Sequence, residues 1–186
     1  MPTPAALLLT PGAGADASHR TLVAVAAALE GTLAVRRTTF PNRAAGKRAP
    51  DRPEAAVAHI RTQAEHLAAG AHVPQGAVLL GGRSFGGRMC SLTVAQGFPA
   101  AGLVLLSYPL HPPGKPERLR VEHLPEVKVP VLVVQGQRDP FGTPEEIAEH
   151  FRAVAGPVTV VAVPGNHAPT DDQGVARAVR DWVAAS

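Results

Sequence analysis

Apolar residues in this chain fall into six short, nearly unbroken blocks: residues 5–10, 33–40, 77–80, 102–107, 131–135 and 158–163. Blocks of this length, rich in Val and Leu and lacking strict polar alternation, predict strands buried on both faces of a parallel sheet. Between them the apolar period lengthens to that of a helix. Leu22, Val25, Ala26 and Leu29 mark one face of a helix over 18–30. Val57, Ile60, Ala64 and Leu67 do the same over 53–69, where Asp51 and Glu54 read as a capping box. A helix over 86–96 stops before Gly97 and Pro99. Thr143-Pro144-Glu145-Glu146 is a second capping box, with proline at the first helical position, and opens a helix to about residue 155. A last helix over 172–184 turns Trp182 toward the sheet, with Asp171 and Asp172 placed to cap it.

Strand and helix alternate along the whole chain, which predicts a single three-layer α/β domain over 1–186 with right-handed crossovers and about six strands. Residues 111–130 are proline-rich and aperiodic and form an ordered excursion above the sheet edge; no insertion is long enough for a separate lid. In such a sheet ligands bind at the carboxyl ends of the strands. The segments that matter most are therefore 11–14, 81–87, 108–111, 136–139 and 164–167.

Composition changes this picture little. The 186 residues are 45% hydrophobic and 18% charged, as in ordinary globular domains. No run of eighteen apolar residues marks a membrane span. The first residues lack a basic segment and their apolar stretch breaks at Pro11, so a secretory leader is not expected. The single Cys90 excludes an internal disulfide and fits a reducing, cytoplasmic compartment; it reads as a small buried hydrophobe. No Cys/His pairing suggests a structural zinc, and no metal or cofactor is expected. The net charge is +3. One basic cluster, Arg36, Arg37, Arg43, Lys47, Arg48 and Arg52, holds a single aromatic, Phe40, and no interleaved series for base stacking, so it reads as a solvated loop rather than a nucleic-acid surface.

The chemistry concentrates at Gly82-Arg83-Ser84-Phe85-Gly86. This is G-x-S-x-G after an apolar block and before a helical one, the pattern of a nucleophile elbow. The turn from strand to helix is so tight that the flanking residues must lack side chains. The serine is then held strained, with its hydroxyl above the sheet. A serine needs a base, and the base an orienting acid. Asp139 follows the fifth block and His167 the sixth, each at a strand's carboxyl end and in the order Ser, Asp, His. An oxyanion would be held by the Phe85 N–H and by the Ala13 N–H, from the loop after the first strand. Gly14 in that loop, with Tyr108, Leu110 and His111 after the fourth strand, is expected to shape the substrate pocket. His19, His59, His66, His72, His123 and His150 are rival bases, of which His59, His66 and His150 lie on helices and fit solvated or capping roles.

A rival signal shares the first loop. Gly12-Ala13-Gly14-Ala15-Asp16-Ala17 matches the dinucleotide fingerprint G-x-G-x-x-A, and Arg36 and Arg37 could meet a 2′-phosphate. That fingerprint requires a helix opening at the glycines, whereas the helical period begins nearer Ser18. It also leaves Ser84, Asp139 and His167 unexplained.

The segments GGRSFGGRM, SYPLHPPGKPERLR, HLP and VQGQRDPFG resemble the small α/β-hydrolase-like family related to testis-expressed protein 30 and KAT8 regulatory NSL complex subunit 3, whose bacterial members are called dienelactone-hydrolase-like. The resemblance runs from PGAGAD to GNHAP. It implies a minimal, lidless α/β-hydrolase fold with Ser84, Asp139 and His167 as triad. The chain departs at Pro11, where a histidine commonly precedes the oxyanion-loop glycine, and at Ser84, where dienelactone hydrolases carry cysteine. Ser84, His167, Asp139 and the two N–H donors point to hydrolysis of a small-molecule ester or thioester, and neither nucleic acid nor membrane is expected as partner. A non-catalytic interaction module is the alternative, and no sequence signal sets an oligomeric state.

Overall fold

A computed structural model describes residues 3–186. Six strands, β1 (Ala6–Thr10), β2 (Ala34–Arg37), β3 (Val78–Arg83), β4 (Gly102–Leu106), β5 (Val131–Gly136) and β6 (Val158–Val163), form one parallel sheet in the order β2-β1-β3-β4-β5-β6. The helices are α1 (Arg20–Ala28), α2 (Pro41–Ala44), α3 (Pro53–Ala71), α4 (Phe85–Ala95), α5 (Pro144–His150) and α6 (Asp172–Ala184).

The two-residue period of a strand sends successive side chains into two separate cores. In β1, Ala6 and Leu8 meet Ile60 and Ala64 of α3 and Met89 of α4, while Leu7 and Leu9 meet Leu22 and Val25 of α1 and Val175 and Val179 of α6. The same split divides Leu103 and Leu105 from Val104 and Leu106 in β4. Each of these fully buried leucines contributes about 2 kcal/mol of burial free energy. This is the physical content of the unbroken apolar blocks: both faces of the sheet are covered.

The differences from the expected boundaries have local causes. β3 runs on through Gly81 and Gly82, which read as turn residues in sequence. A Cβ on Gly81 would come within 3.1 Å of Val104, so glycine there serves close strand packing rather than a turn. β2 is shorter than its apolar block because it is an edge strand, and an unforeseen single turn, α2, follows it. α5 ends at His150 and tightens to a 3₁₀ turn over Phe151–Ala153. The Thr143–Glu146 capping box forms, whereas the one expected from Asp51 does not. Pro53 sets the first turn of α3, so Arg52 is the cap and Asp51 stands one residue too early. Its carboxylate instead accepts from the Asn42 N–H at 3.1 Å. Residues 111–130 contain only the 3₁₀ turn Leu124–Glu126. Among the described residues no helix is long and apolar enough to cross a membrane.

The strand order reverses beside β1: β2 lies on one side of it and β3 on the other. The loops after β1 and β3 therefore diverge at a topological switch point, where open parallel sheets bind ligands.

Candidate active site

The turn after β3 carries Ser84 at φ 51° and ψ −118°, a conformation L-residues rarely adopt. Its N–H continues the sheet by donating to the Leu106 carbonyl at 2.8 Å, and α4 begins at the next residue. The two flanking glycines are steric necessities. A Cβ on Gly82 would stand 2.8 Å from the backbone of Gly86 and Gly87, and one on Gly86 would stand 2.5 Å from the Pro11 carbonyl oxygen. The elbow is thus packed against the end of β1, which brings the Gly12–Gly14 loop beside Ser84. A Cβ on Gly12 would lie 3.6 Å from that of Ser84.

His167 sits in the loop after β6, and that loop folds back over the sheet. Gly136, at the end of β5, has no room for a side chain because the Asn166 carbonyl passes directly over it. The Arg138 N–H donates to the Gly165 carbonyl at 2.9 Å, and Gly165 pairs with Pro169 to close the loop. The result places His167 Nε2 2.8 Å from Ser84 Oγ, and Nδ1 2.9 Å from Asp139 Oδ2. A carboxylate only accepts, so Nδ1 carries the proton, and the Nε2 lone pair faces the Ser84 hydroxyl. The histidine side chain keeps 18% of its surface exposed while that of Asp139 has none.

Asp139 is held by more than the histidine. The Phe141 N–H donates to its Oδ1 at 2.9 Å, and the Gln135 side-chain amide donates to its Oδ2 at 3.0 Å. Gln135 itself is fully buried on β5. Phe141 also stacks on the imidazole, ring centroids 4.1 Å apart and planes tilted by 33°. Arg83 donates from Nη2 to the His167 carbonyl at 2.7 Å. Burial lowers its pKa from that of a free guanidinium, and the Asp139 charge opposes that shift. Sequence reasoning missed Gln135, Phe141 and Arg83. The signal for Gln135 was a lone amide inside an apolar block, and for Arg83 a charge inside the elbow motif.

The Phe85 N–H opens α4, where helix geometry supplies no carbonyl for it. Ala13 and Phe85 border one narrow cleft, whose other walls include Phe40 and Arg43. Ala13 is exposed at its rim, and Gly14, also exposed, is not among its walls. A larger hollow of about 260 Å³, lined by Pro4, Pro130 and Trp182, opens at the amino ends of the strands, away from Ser84.

The pocket expected from the loop after β4 does not form. Tyr108 and Leu110 are completely buried and His111 nearly so, and none offers a substrate appreciable surface. The Tyr108 hydroxyl donates to the Arg120 carbonyl at 2.8 Å, and its ring packs edge-on against Phe151. Burial raises its pKa above that of a free phenol. Residues 111–130 cover this loop, which is why it turned inward. His111 is taken up by the Pro112 carbonyl, with Glu146 3.6 Å from its Nε2. The dinucleotide reading also fails on geometry, because α1 opens only at Arg20, after the Gly12–Gly14 loop has ended.

Four of the other histidines lie in structural positions away from Ser84. His19 caps α1, His59 bonds Thr38, His123 bonds Ser91 and His72 ends α3 in a left-handed conformation. Cys90 lies on the buried face of α4, where desolvation pushes its thiol up to about 12.

The arrangement can be set beside solved structures. The chain matches a putative hydrolase of the α/β superfamily from Xanthomonas campestris pv. campestris at a TM-score of 0.74 and 18% identity, covering 98% of this chain and 99% of that one. It matches Est1E from Butyrivibrio proteoclasticus, solved with bound ferulic acid, at 0.78 and 18%, covering 99% and 90%. It matches a monoacylglycerol lipase from Paleococcus ferrophilus at 0.76 and 16%, covering 98% and 96%. At these identities the likeness is one of fold. The family model described as an alpha/beta hydrolase domain matches residues 3–176. With that match across nearly its whole length, the chain belongs to the alpha/beta hydrolase domain family.

Proposed function

We propose that the chain is a serine hydrolase acting on esters or thioesters with a short acyl group, through Ser84, His167 and Asp139. The observation that carries this reading is the unbroken line of hydrogen bonds from Ser84 Oγ through the imidazole to Asp139, built from three separate strand ends. As Oγ attacks the acyl carbon, its proton passes to His167 Nε2 and the carbonyl π electrons move onto oxygen. The Phe85 and Ala13 N–H groups hold that oxyanion, each worth about 3 kcal/mol of barrier. Asp139 stabilises the imidazolium and keeps its tautomer. Collapse expels the alcohol or thiolate, which takes the proton from Nε2 and leaves acyl-Ser84. Water then attacks, gives its proton to His167, and Ser84 departs protonated by the same imidazole.

The cleft between Ala13 and Phe85 encloses no room for a long acyl chain, which favours short ones. The resemblance of YPLHPPGKPE and its neighbours to the testis-expressed protein 30 group favours a place in that subfamily, and the lone buried Cys90 suits a cytoplasmic setting. A fluorophosphonate probe should label Ser84, and p-nitrophenyl acetate turnover should vanish in Ser84→Ala. A folded protein that neither labels nor turns over would leave the interaction-module reading in its place.

A further inference from the structure

Arg83 is the first of the two variable positions inside G-x-S-x-G, and nothing in the hydrolytic scheme above assigns it a task. Its surroundings are unusual for an elbow residue. From the end of β3 the guanidinium runs between two other loops. Nη2 donates to the His167 carbonyl at 2.7 Å, and Nη1 would stand 3.1 Å from a Cβ placed on Gly12. Its Nε is buried with no hydrogen-bond partner among the described residues. A buried guanidinium N–H without an acceptor is a cost. Arg83 therefore holds this position for what the far end of the side chain reaches.

What it reaches is the element in most need of support. β6 lies at one edge of the sheet, three strand spacings from β3, or about 14 Å. The loop after β6 must cross that distance above the sheet to bring His167 to Ser84. Its early part is fixed by the Arg138 N–H on Gly165, and its far part by Arg20 Nη2 on the Pro169 carbonyl at 2.8 Å. Arg83 is the anchor at His167 itself. It is also the only one of these that starts from the residue next to the nucleophile.

Resting on the hydrolase reading, we propose that Arg83 is a positioning residue. It locks the backbone of His167 to the elbow and braces the Gly12 side of the oxyanion loop, so that nucleophile, base and oxyanion donors move as one body. Without it the hydrogen bond from His167 to Asp139 persists, but the 2.8 Å approach of Nε2 to Ser84 Oγ is no longer enforced. Misplacement of a reacting group by about 1 Å costs on the order of 100-fold in rate.

The test uses Arg83→Met, which keeps the apolar stem, and Arg83→Gln, which keeps a polar group too short to reach the His167 carbonyl. Wild type and variants are compared for kcat and KM on p-nitrophenyl acetate and for the rate of fluorophosphonate labelling, with thermal melts to establish folding. The expected result is a fall of about 10- to 100-fold in kcat and in labelling rate, with KM within about twofold. A folded variant of either kind with kcat within twofold of wild type overturns the proposal. So does a loss carried by KM, since that would make Arg83 a substrate contact. If Met does not fold, Gln carries the comparison. Wild type that fails to label at Ser84 refutes the hydrolase reading; wild type that labels while the variants label as fast refutes only the role of Arg83.

Discussion

Replacing Gln135 with leucine tests how the acid of the site is held. Gln135 is fully buried, and leucine nearly matches its volume, so the cavity term is small. The loss lies in hydrogen bonds. The Gln135 carbonyl oxygen accepts from the Tyr108 N–H at 2.8 Å, and its amide donates to the Gly142 carbonyl at 2.8 Å and to Asp139 Oδ2 at 3.0 Å. The third acceptor, the Tyr108 carbonyl, remains paired with the Leu110 N–H. Two backbone groups are therefore orphaned, at about 1–3 kcal/mol each, and one bond to a charged group is lost, at about 1.5–3 kcal/mol. The added apolar surface returns about 1–2 kcal/mol. The net expectation is a destabilisation of roughly 1.5–8 kcal/mol, a large share of the ~5–15 kcal/mol that holds a domain folded. Urea unfolding with an unchanged m-value reads this directly. The same variant should label more slowly at Ser84, because Asp139 has lost one of its three supports. A loss below about 1 kcal/mol would refute the reasoning, since it would mean that Gln135 does not satisfy these groups. Gln135→Glu separates the contributions: it restores an acceptor for Tyr108 but puts a second carboxylate against Asp139. If support of Asp139 dominates, it is no better than leucine at neutral pH.

Two further outcomes follow from the geometry. Asp139→Asn keeps the shape of the site but offers the imidazole an amide, which favours the wrong tautomer; kcat should fall by ~10⁴, the size of the corresponding loss in serine proteases, while KM for p-nitrophenyl acetate holds. An activity within tenfold of wild type would remove Asp139 from the relay. His123 bonds Ser91 at 2.7 Å, and burial first, then the Arg88 charge, depresses its pKa to about 4. The unfolded chain takes up this proton near pH 6.5 and the folded protein only near 4. Its neutral form therefore stabilises the fold above pH 6.5, and that contribution is lost as pH falls from about 6.5 to 4. Thermal melts across that window should show a shallower decline in His123→Gln than in wild type, and equal slopes would refute the assignment.

The six apolar blocks, the glycines around Ser84 and the strand-end positions of Asp139 and His167 were legible in the sequence, because each answers to a local rule. Period sets burial, a tight turn demands glycine, and residues after parallel strands gather at one rim. Less legible were boundaries set by neighbours. β3 continues through Gly81 because Val104 on β4 needs the space, and Asp51 fails as a cap because Pro53 fixes where α3 begins.

The sequence by itself determined the layering of the sheet, the strained elbow and the three residue types that converge on it. Only the tertiary structure decided what stands around them. Whether Tyr108 faces a substrate or the core depends on how residues 111–130 drape over the sheet, and no short-range pattern encodes that path. Likewise Arg83, Gln135 and Phe141 acquire their roles from groups 84, 4 and 2 residues away in the chain. The β6 loop must fold back across two strands before the first of those contacts exists. Periodicity reports which face of an element is buried; the direction in which a loop closes is set by the packing of every element it crosses.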